Sequence, residues 1–481
     1  MDNYEIIMGL EVHVELSTES KIFCGCTTKF GGEPNTHVCE ICSGMPGTLP
    51  ALNQKVVEYA VRAGLALNCK ITPFSKFDRK NYFYPDLPKA FQVSQLYLPI
   101  CRNGDVEIKV GDQVRHIGIH EIHMEEDAGK LVHDEWEDCT LVDYNRCGVP
   151  LIEIVSEPDF RSAEEVVAYL EKLKSTLQYL GVSDCKMQEG SMRADINLSV
   201  RKQGETKYGT RTEMKNMASL KAITRAIEGE SRRQIDIIED GGSIRQETRR
   251  WDDNKGSSYA MRSKEDAHDY KYFPEPDLMP IEIPESYIEN IRKSLPEMPE
   301  AKKVRYMEAF SLPEYDADIL TKSKYLVEVF EKATEICNNP KDVSNWIMTD
   351  LLKMLKDGQM EPEDMSFSPG ALGQIIQMVN EGKINRGTGK KIFAEVFAKN
   401  VDPVRYVDEN GLAQISDAGS IEGPIRDVLI ANERPVTEYL AGNDRNLQFL
   451  IGQSMRALKG KADPQAVKEI LLRLLEEKRN T

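Results

Sequence analysis

The chain has 481 residues, with 62 Lys and Arg against 79 Asp and Glu, a net charge of −17. At roughly 100–200 residues per domain, this length predicts two to four domains. With 40% hydrophobic and 29% charged residues, the composition is that of an ordinary globular protein. The acidity excludes a general nucleic-acid coat, because phosphate would be repelled over most of the surface, but leaves room for a local basic patch. No segment approaches the ~20 apolar residues of a membrane span. Met1 to Gly9 lacks the charged start and apolar run of a signal peptide. The chain is therefore expected in the reducing cytoplasm, away from membranes, where ten cysteines need an explanation other than disulfides. Nine of them precede position 186, and six of the seven histidines lie at or before His133.

Met8–Leu16 has period 2 and predicts a strand. Leu10, Val12, Val14 and Leu16 fall on one face, and Glu11, His13 and Glu15 on the other. Two carboxylates and an imidazole on one strand face suit Mg²⁺ or Mn²⁺ better than zinc; a solvated face is the alternative. Cys24-Gly25-Cys26, twelve residues, then Cys39-Glu40-Ile41-Cys42 gives two close thiol pairs around a Pro34-Asn35 loop. Four thiolates predict a closed, structural zinc site. Four free thiols or a redox C-x-x-C are the alternatives. Lys76–Gln95 interleaves Asp78, Arg79, Lys80 and Asn81 with aromatics. It reads as a nucleotide or nucleic-acid contact, or as an aromatic-packed loop. Tyr270–Pro280 is a similar turn-rich segment.

His123-Met124-Glu125-Glu126-Asp127 is an acidic cluster beside a histidine, and Asp143–Asp159 contains an apolar strand. Arg161–Leu180 predicts a helix: Ser162 and Glu165 have capping-box spacing, and Val166, Leu170, Leu173, Leu177 and Leu180 form a stripe. In Met192–Val200, Arg193, Asp195, Asn197 and Ser199 share a face; Arg211, Glu213 and Lys215 alternate likewise. Several strands presenting carboxylates and bases on one face would build a concave site in which carboxylates hold ions and Arg or Lys holds phosphoryl oxygens. Past Leu295 the strand pattern fades into short amphipathic helices. Near the end, Leu447, Leu450, Ile451, Ser454, Met455 and Leu458 form one stripe, which Gly460 stops. Val467, Ile470, Leu471, Leu474 and Leu475 form the next, after Asp463-Pro464. The pattern predicts an α+β body, a helical middle and a small helical tail. There is no phosphate-binding glycine loop, kinase signature or evident Ser or Cys nucleophile.

Met8–Leu16, Lys76–Pro85, HMEEDAGK at 123–130, LIEIVSEPD at 151–159, EGSMRAD at 189–195 and Gly452–Pro464 closely resemble the GatB family, the B subunits of bacterial aspartyl/glutamyl-tRNA amidotransferases, over essentially the whole chain. The resemblance implies a glutamine-synthetase-like cradle with an antiparallel sheet over residues 1–294, with a zinc-binding loop at about 24–42. An all-helical domain over 295–405 and a YqeY-like tRNA-binding tail over 406–481 would follow. It implies ATP-dependent phosphorylation of the side-chain carboxylate of Glu-tRNA(Gln) or Asp-tRNA(Asn), then amidation by ammonia. A separate amidase (glutaminase) subunit would supply that ammonia from glutamine, and a small third subunit would complete a heterotrimer. A tRNA-binding scaffold without catalysis is the alternative.

On the family pattern, Glu11, His13, Glu126 and Asp195 are the expected Mg²⁺ ligands and, with Lys80, the catalytic set. Adjacent strand residues face opposite ways, so Glu125 is the alternative to Glu126. Arg193 and Lys215 are expected at phosphate or carboxylate, and Cys24, Cys26, Cys39 and Cys42 at zinc. From Ala441 on, eight Lys and Arg stand against five Asp and Glu, a net +3. Arg456, Lys459 and Lys461 cluster there as expected tRNA contacts; a solvated helix end is the alternative.

Overall fold

The computed structural model describes residues 3–134, 137–263, 270–414, 418–458, 462 and 464–479. They fall into two compact units, divided after Met298.

The first unit is built on a nine-stranded sheet. Its strands are Tyr4–Glu15 (β1), Lys70–Ile71 (β2), Cys101–Val110 (β3), Gln113–Glu126 (β4), Pro150–Ser156 (β5), Met192–Lys202 (β6), Thr212–Lys215 (β7), Glu247–Asp252 (β8) and Ser257–Ser263 (β9). The spatial order is β9-β8-β7-β6-β1-β5-β4-β3-β2. Neighbours are antiparallel except β7 and β8, which run parallel. The sheet is thus mixed rather than wholly antiparallel. A parallel pair needs a long crossover, and helix Leu220–Glu239 supplies it.

Register follows from the period-2 pattern, since a one-residue slip would turn every apolar side chain of β1 to the wrong face. Leu10, Val12 and Val14 of β1, Ile152 and Ile154 of β5, Ile122 and Met124 of β4, and Ala194, Ile196 and Leu198 of β6 are all buried in one core. Each large side chain there contributes about 1.5–3 kcal/mol by leaving water. Helices Gln54–Ala66 (α1), Ala163–Leu180 (α2) and Leu220–Glu239 (α3) add their apolar stripes to the same core.

The expected stripe of α2 is buried along its length. Its Ser162 hydroxyl accepts from the Glu165 amide at 3.2 Å, while the Glu165 carboxylate accepts from the Arg161 amide at 2.6 Å. The reciprocal cap therefore closes one residue earlier than a standard box. Gly181 ends the helix in the left-handed region, at φ 69°, where a side chain would be strained.

Three short strands, Asp78–Asn81, Phe91–Ser94 and Phe273–Pro274, form a small separate sheet. It joins the two turn-rich segments at 76–95 and 270–280. The Arg79 guanidinium donates to both Glu275 oxygens at 2.7 and 2.8 Å and lies over the Phe91 ring at 4.2 Å.

The second unit is helical. Trp346 and Phe393 are fully buried and meet edge to face at 6.2 Å. Position 406, expected to open the tail, falls inside helix Pro403–Glu409. The Asp402 side chain caps that helix by accepting from the Arg405 amide at 2.8 Å, and it packs with helices Ala371–Asn380 and Arg386–Lys399. The tail core begins later, with Ile421, Ile425 and Leu429, and closes over Leu450, Val467, Leu471, Leu474 and Leu475. Gly460, Asp463, Lys459 and Lys461 lie outside the described residues. Among the described residues, no helix is long and apolar enough to cross a membrane.

Candidate active site

The face of the sheet opposite the core is polar, and the pairing shows which residues meet on it. Glu11 lies opposite Asp195, and His13 lies between Arg193 on β6 and Glu153 on β5. Glu153 in turn faces His123, and Leu151 faces Glu125. Asn197 faces Glu213 across β7. Directly opposed residues project to the same side. Strands of distant sequence position therefore put Glu121, His123, Glu125, Glu153, Glu11, His13, Glu15, Arg193, Asp195, Glu213 and Lys215 on one surface.

Two groups of cation-ligand type emerge. In the first, His13, Glu125 and Glu153 each offer an atom within 4.8 Å of the others. His13 Nε2 lies 3.5 Å from both Glu125 and Glu153, and His123 Nε2 lies 2.8 Å from Glu153. Burial favours a neutral His123 ring, but the Glu153 and Glu125 charges outweigh it and raise its pKa to about 10. Burial likewise opposes ionisation of Glu153, yet His123 and His13 hold it well below the usual carboxylate range.

In the second group, Glu11, Asp195 and Glu213 offer oxygens within the same span. Burial raises the pKa of Glu11, and the nearby Glu153 and Glu213 charges add to it. Asn197 donates to Glu11 at 2.9 Å, and Thr248 donates to Glu213 at 2.7 Å. Lys215 pairs with Asp195 and lies 2.9 Å from Glu213. Oxygen donors with one imidazole, held together against mutual repulsion, fit hard divalent cations such as Mg²⁺.

Of the expected ligands, Glu11, His13 and Asp195 are on this face and Glu126 is not. Glu126 ends β4 on the opposite side. Lys89 Nζ lies 2.5 and 2.6 Å from its two oxygens, and the Val93 amide donates to it at 2.9 Å. Strand alternation puts Glu125 in the cluster instead. Arg193 is on the face but bound to Asp127 at 2.9 Å, with Arg146 3.4 Å from the same carboxylate. Beside them, burial and the Asp127 charge raise Glu15 to about 8.

Lys80 approaches from the small sheet, lying 5.1 Å from the centre of the Tyr270 ring and 5.8 Å from that of Tyr82. Its charge reaches Glu153. Burial raises the Tyr82 and Tyr272 hydroxyls, with Glu125 the next cause for both, so this aromatic wall borders the first cation group.

Three groups went unassigned in the sequence. Glu153 is a lone charge at alternate spacing in the apolar run Leu151–Val155, which is a legible signal. Glu213 is visible in the Arg211, Glu213, Lys215 alternation. The His123–Glu153 pairing has no sequence signal, because strand order decides it.

The cysteine loop converges as its spacing predicts. Sulfurs of Cys24, Cys26, Cys39 and Cys42 lie within 4.8 Å of one another, and those of Cys39 and Cys42 are 3.9 Å apart. The edge of a ZnS₄ tetrahedron with 2.3 Å bonds is about 3.8 Å. In the tail, Arg456 is exposed in the last turn of helix Arg445–Ala457.

An α+β body with a charged sheet face, followed by helical units, defines the class, and two family models match it. The GatB/GatE catalytic domain matches residues 6–289, and the GatB domain matches residues 328–475. Relatives agree over their whole length. The protein of Lachnoclostridium phytofermentans is 62% identical over 477 residues, covering 99% of this chain and 100% of that one. Those of Agathobacter rectalis (58%, covering 99% and 100%) and Caldicellulosiruptor bescii (55%, covering 98% and 99%) are similar. All three are named as the B subunit of an aspartyl/glutamyl-tRNA(Asn/Gln) amidotransferase. The chain belongs to this GatB family of amidotransferase subunits.

Proposed function

We propose that the polar sheet face is where a tRNA-linked carboxylate is phosphorylated and amidated. The substrates are Glu-tRNA(Gln), Asp-tRNA(Asn) or both, with ATP. A carboxylate is a poor acyl donor because oxide is a poor leaving group. In the first step its oxygen attacks the γ-phosphorus of ATP, the bond to the β-phosphate oxygen breaks, and ADP leaves. In the second, ammonia adds to the carbonyl, the carbon–oxygen bond to phosphate breaks, and phosphate leaves as nitrogen loses a proton. Phosphoryl transfer asks the protein mainly for positioning and positive charge.

His13, Glu125 and Glu153 would hold one Mg²⁺, and Glu11, Asp195 and Glu213 a second. When bound, Mg²⁺ supplies charge to phosphoryl oxygens. Lys80, Lys215 and Arg193 are cations within reach of this face. Lys80 and Lys215 would meet phosphate or carboxylate oxygens, and Arg193 with Asp127 would form the wall beside them. The observation that carries the reading is the gathering of two three-donor groups from strands far apart in sequence. A scaffold that only bound tRNA would have no use for such unfavourable charge.

Ammonia would come from a partner amidase (glutaminase), with a small third subunit making up a heterotrimer, consistent with the lack of an evident nucleophile here. The body over residues 1–294 would be catalytic and the helical residues from 295 a connector. The tail would meet tRNA through Arg456, joined by Lys459 and Lys461. The four cysteines would hold structural zinc, and the enzyme would work in the cytoplasm.

The test is Asp195→Ala in the assembled enzyme. Phosphate release driven by misacylated tRNA should be abolished while tRNA binding stays within a few fold. Retained phosphate release would overturn the assignment.

A further inference from the structure

Lys21 is among the largest side chains that are fully buried, with 0% exposure. A buried ammonium is costly unless it is hydrogen-bonded and paired with negative charge. Among the described residues, no carboxylate pairs with it. Lys21 Nζ donates to the His37 carbonyl oxygen at 2.7 Å and lies 3.6 Å from Cys42 Sγ. The carbonyl offers only a dipole. The one neighbour in its hydrogen bonds able to carry a full negative charge is the Cys42 sulfur.

The surroundings hold this geometry in place. The Lys21 amide donates to the Cys26 carbonyl at 2.9 Å, inside the first cysteine pair. Gly148, at φ +78°, lies against the Lys21 stem and Cys42, and a Cβ there would sit 3.6 and 3.5 Å from them. The Cys39 amide points at the same Cys42 sulfur from 3.2 Å. Cys42 therefore has two N–H donors aimed at it, the arrangement that suits a thiolate. Four thiolates around a divalent ion carry a net −2, and at the buried Cys42 corner of the site that charge favours a counter-charge close by.

We infer that Lys21 is the buried counter-ion of the four-cysteine metal site, seated against the Cys42 sulfur and tying the loop to the body through the His37 carbonyl. This rests on the zinc reading and deepens it, since a buried lysine without a carboxylate partner is explained once that sulfur is anionic. Lys21 would not itself be a ligand, since its Nζ meets the His37 carbonyl and the Cys42 sulfur. It positions a ligand and balances its charge, a role for which outer contacts typically matter 10–100-fold in metal affinity.

The test uses the full-length chain and its Lys21→Met variant, which keeps the stem and removes the charge. The wild type should hold about one zinc, and Lys21→Met should lose it to a competing chelator at 10–100-fold lower chelator concentration. In the cobalt-substituted proteins, the sulfur-to-metal charge-transfer band should move to longer wavelength in the variant, because an unbonded thiolate gives up electrons more readily. A merely structural lysine would not move that band. If the wild type holds no zinc or cobalt, the zinc reading fails and the counter-ion role with it. If it holds metal and the variant matches it in affinity and spectrum, the counter-ion role alone fails. If Lys21→Met does not fold, Lys21→Gln, which keeps a donor without the charge, is held to the same two readouts.

Discussion

Glu125 and Glu126 are neighbours, equally buried at 3% exposure, yet they face opposite sides of the sheet, Glu125 toward His13 and Glu153 and Glu126 toward Lys89, and the proposed site gives them different duties. Substituting each with glutamine separates these duties. In Glu125→Gln, one unit of charge leaves the His13–Glu125–Glu153 group. At about 4 Å and an effective dielectric of about 20, a pair of unit charges is worth about 4 kcal/mol. A divalent ion would feel more, and relief of repulsion from Glu153 returns part of it. A net loss of at least about 2.7 kcal/mol corresponds to a hundredfold weaker Mn²⁺ binding.

In Glu126→Gln the metal group is intact, and Mn²⁺ binding should stay within about threefold. What is lost is the charged partner of Lys89, whose side chain is only 15% exposed. Removing one member of a buried pair costs roughly 3–5 kcal/mol, and Lys89's partial exposure points to the low end. At about 2 cal/mol/K of unfolding entropy per residue, a unit of about 300 residues shifts by about 1.6 °C per kcal/mol, so its melting temperature should fall by about 5 °C. Mn²⁺ titration followed by electron paramagnetic resonance, together with a thermal melt, reads both quantities. If Glu126→Gln abolished Mn²⁺ binding while Glu125→Gln kept it, the facing argument would be refuted.

Two further outcomes are expected. Glu230 is fully buried and accepts from Thr212 at 2.8 Å, Gln234 at 3.0 Å, Arg233 at 2.7 and 2.8 Å and Ser258 at 3.2 Å. It thereby pins α3 to β7 and β9. Although burial opposes it, the Arg233 and Gln234 hydrogen bonds lower its pKa below the ordinary 4.5. Its stabilisation is therefore full above about pH 4.5 and is lost as pH falls through the lower folded value. The gap in denaturation midpoint between wild type and Glu230→Gln should be constant from about pH 5 to 8 and close in acid; a gap that widened in acid would contradict this. In the tail, Arg456→Glu should weaken tRNA binding by roughly 3–10-fold and lower the salt-dependence slope by about one. An unchanged slope would remove Arg456 from the interface.

Much of the fold was legible because it obeys short-range rules. The period-2 run Met8–Leu16 had to be a strand with Glu11 and His13 on one face. The Ser162 cap and the stripe of α2 had to be a helix. The cysteine loop could be read from spacing, since two close thiol pairs on one loop need little long-range help to meet. The parallel pair β7–β8 was not legible, because hydrophobic alternation carries no strand direction. The packing of helix Pro403–Glu409 was not legible either: it sits on helices Ala371–Asn380 and Arg386–Lys399, and composition does not say which neighbour a helix chooses.

By itself, the sequence determined which residues are acidic, basic or sulfur-bearing and which side of its own strand each faces, because a pleated backbone fixes that locally. Only the tertiary structure decided which strands lie side by side. The order β6-β1-β5-β4 brings Asp195, Glu11, Glu153 and Glu125 together from positions far apart in the chain. The one-residue alternation at the end of β4 sent Glu126 to Lys89 and Glu125 to the cation group. A buried lysine seated on a cysteine sulfur is likewise a fact of packing. Lys21 in the sequence is an unremarked basic residue, and its charge acquires a purpose only when the fold takes it out of solvent and sets a thiol beside it.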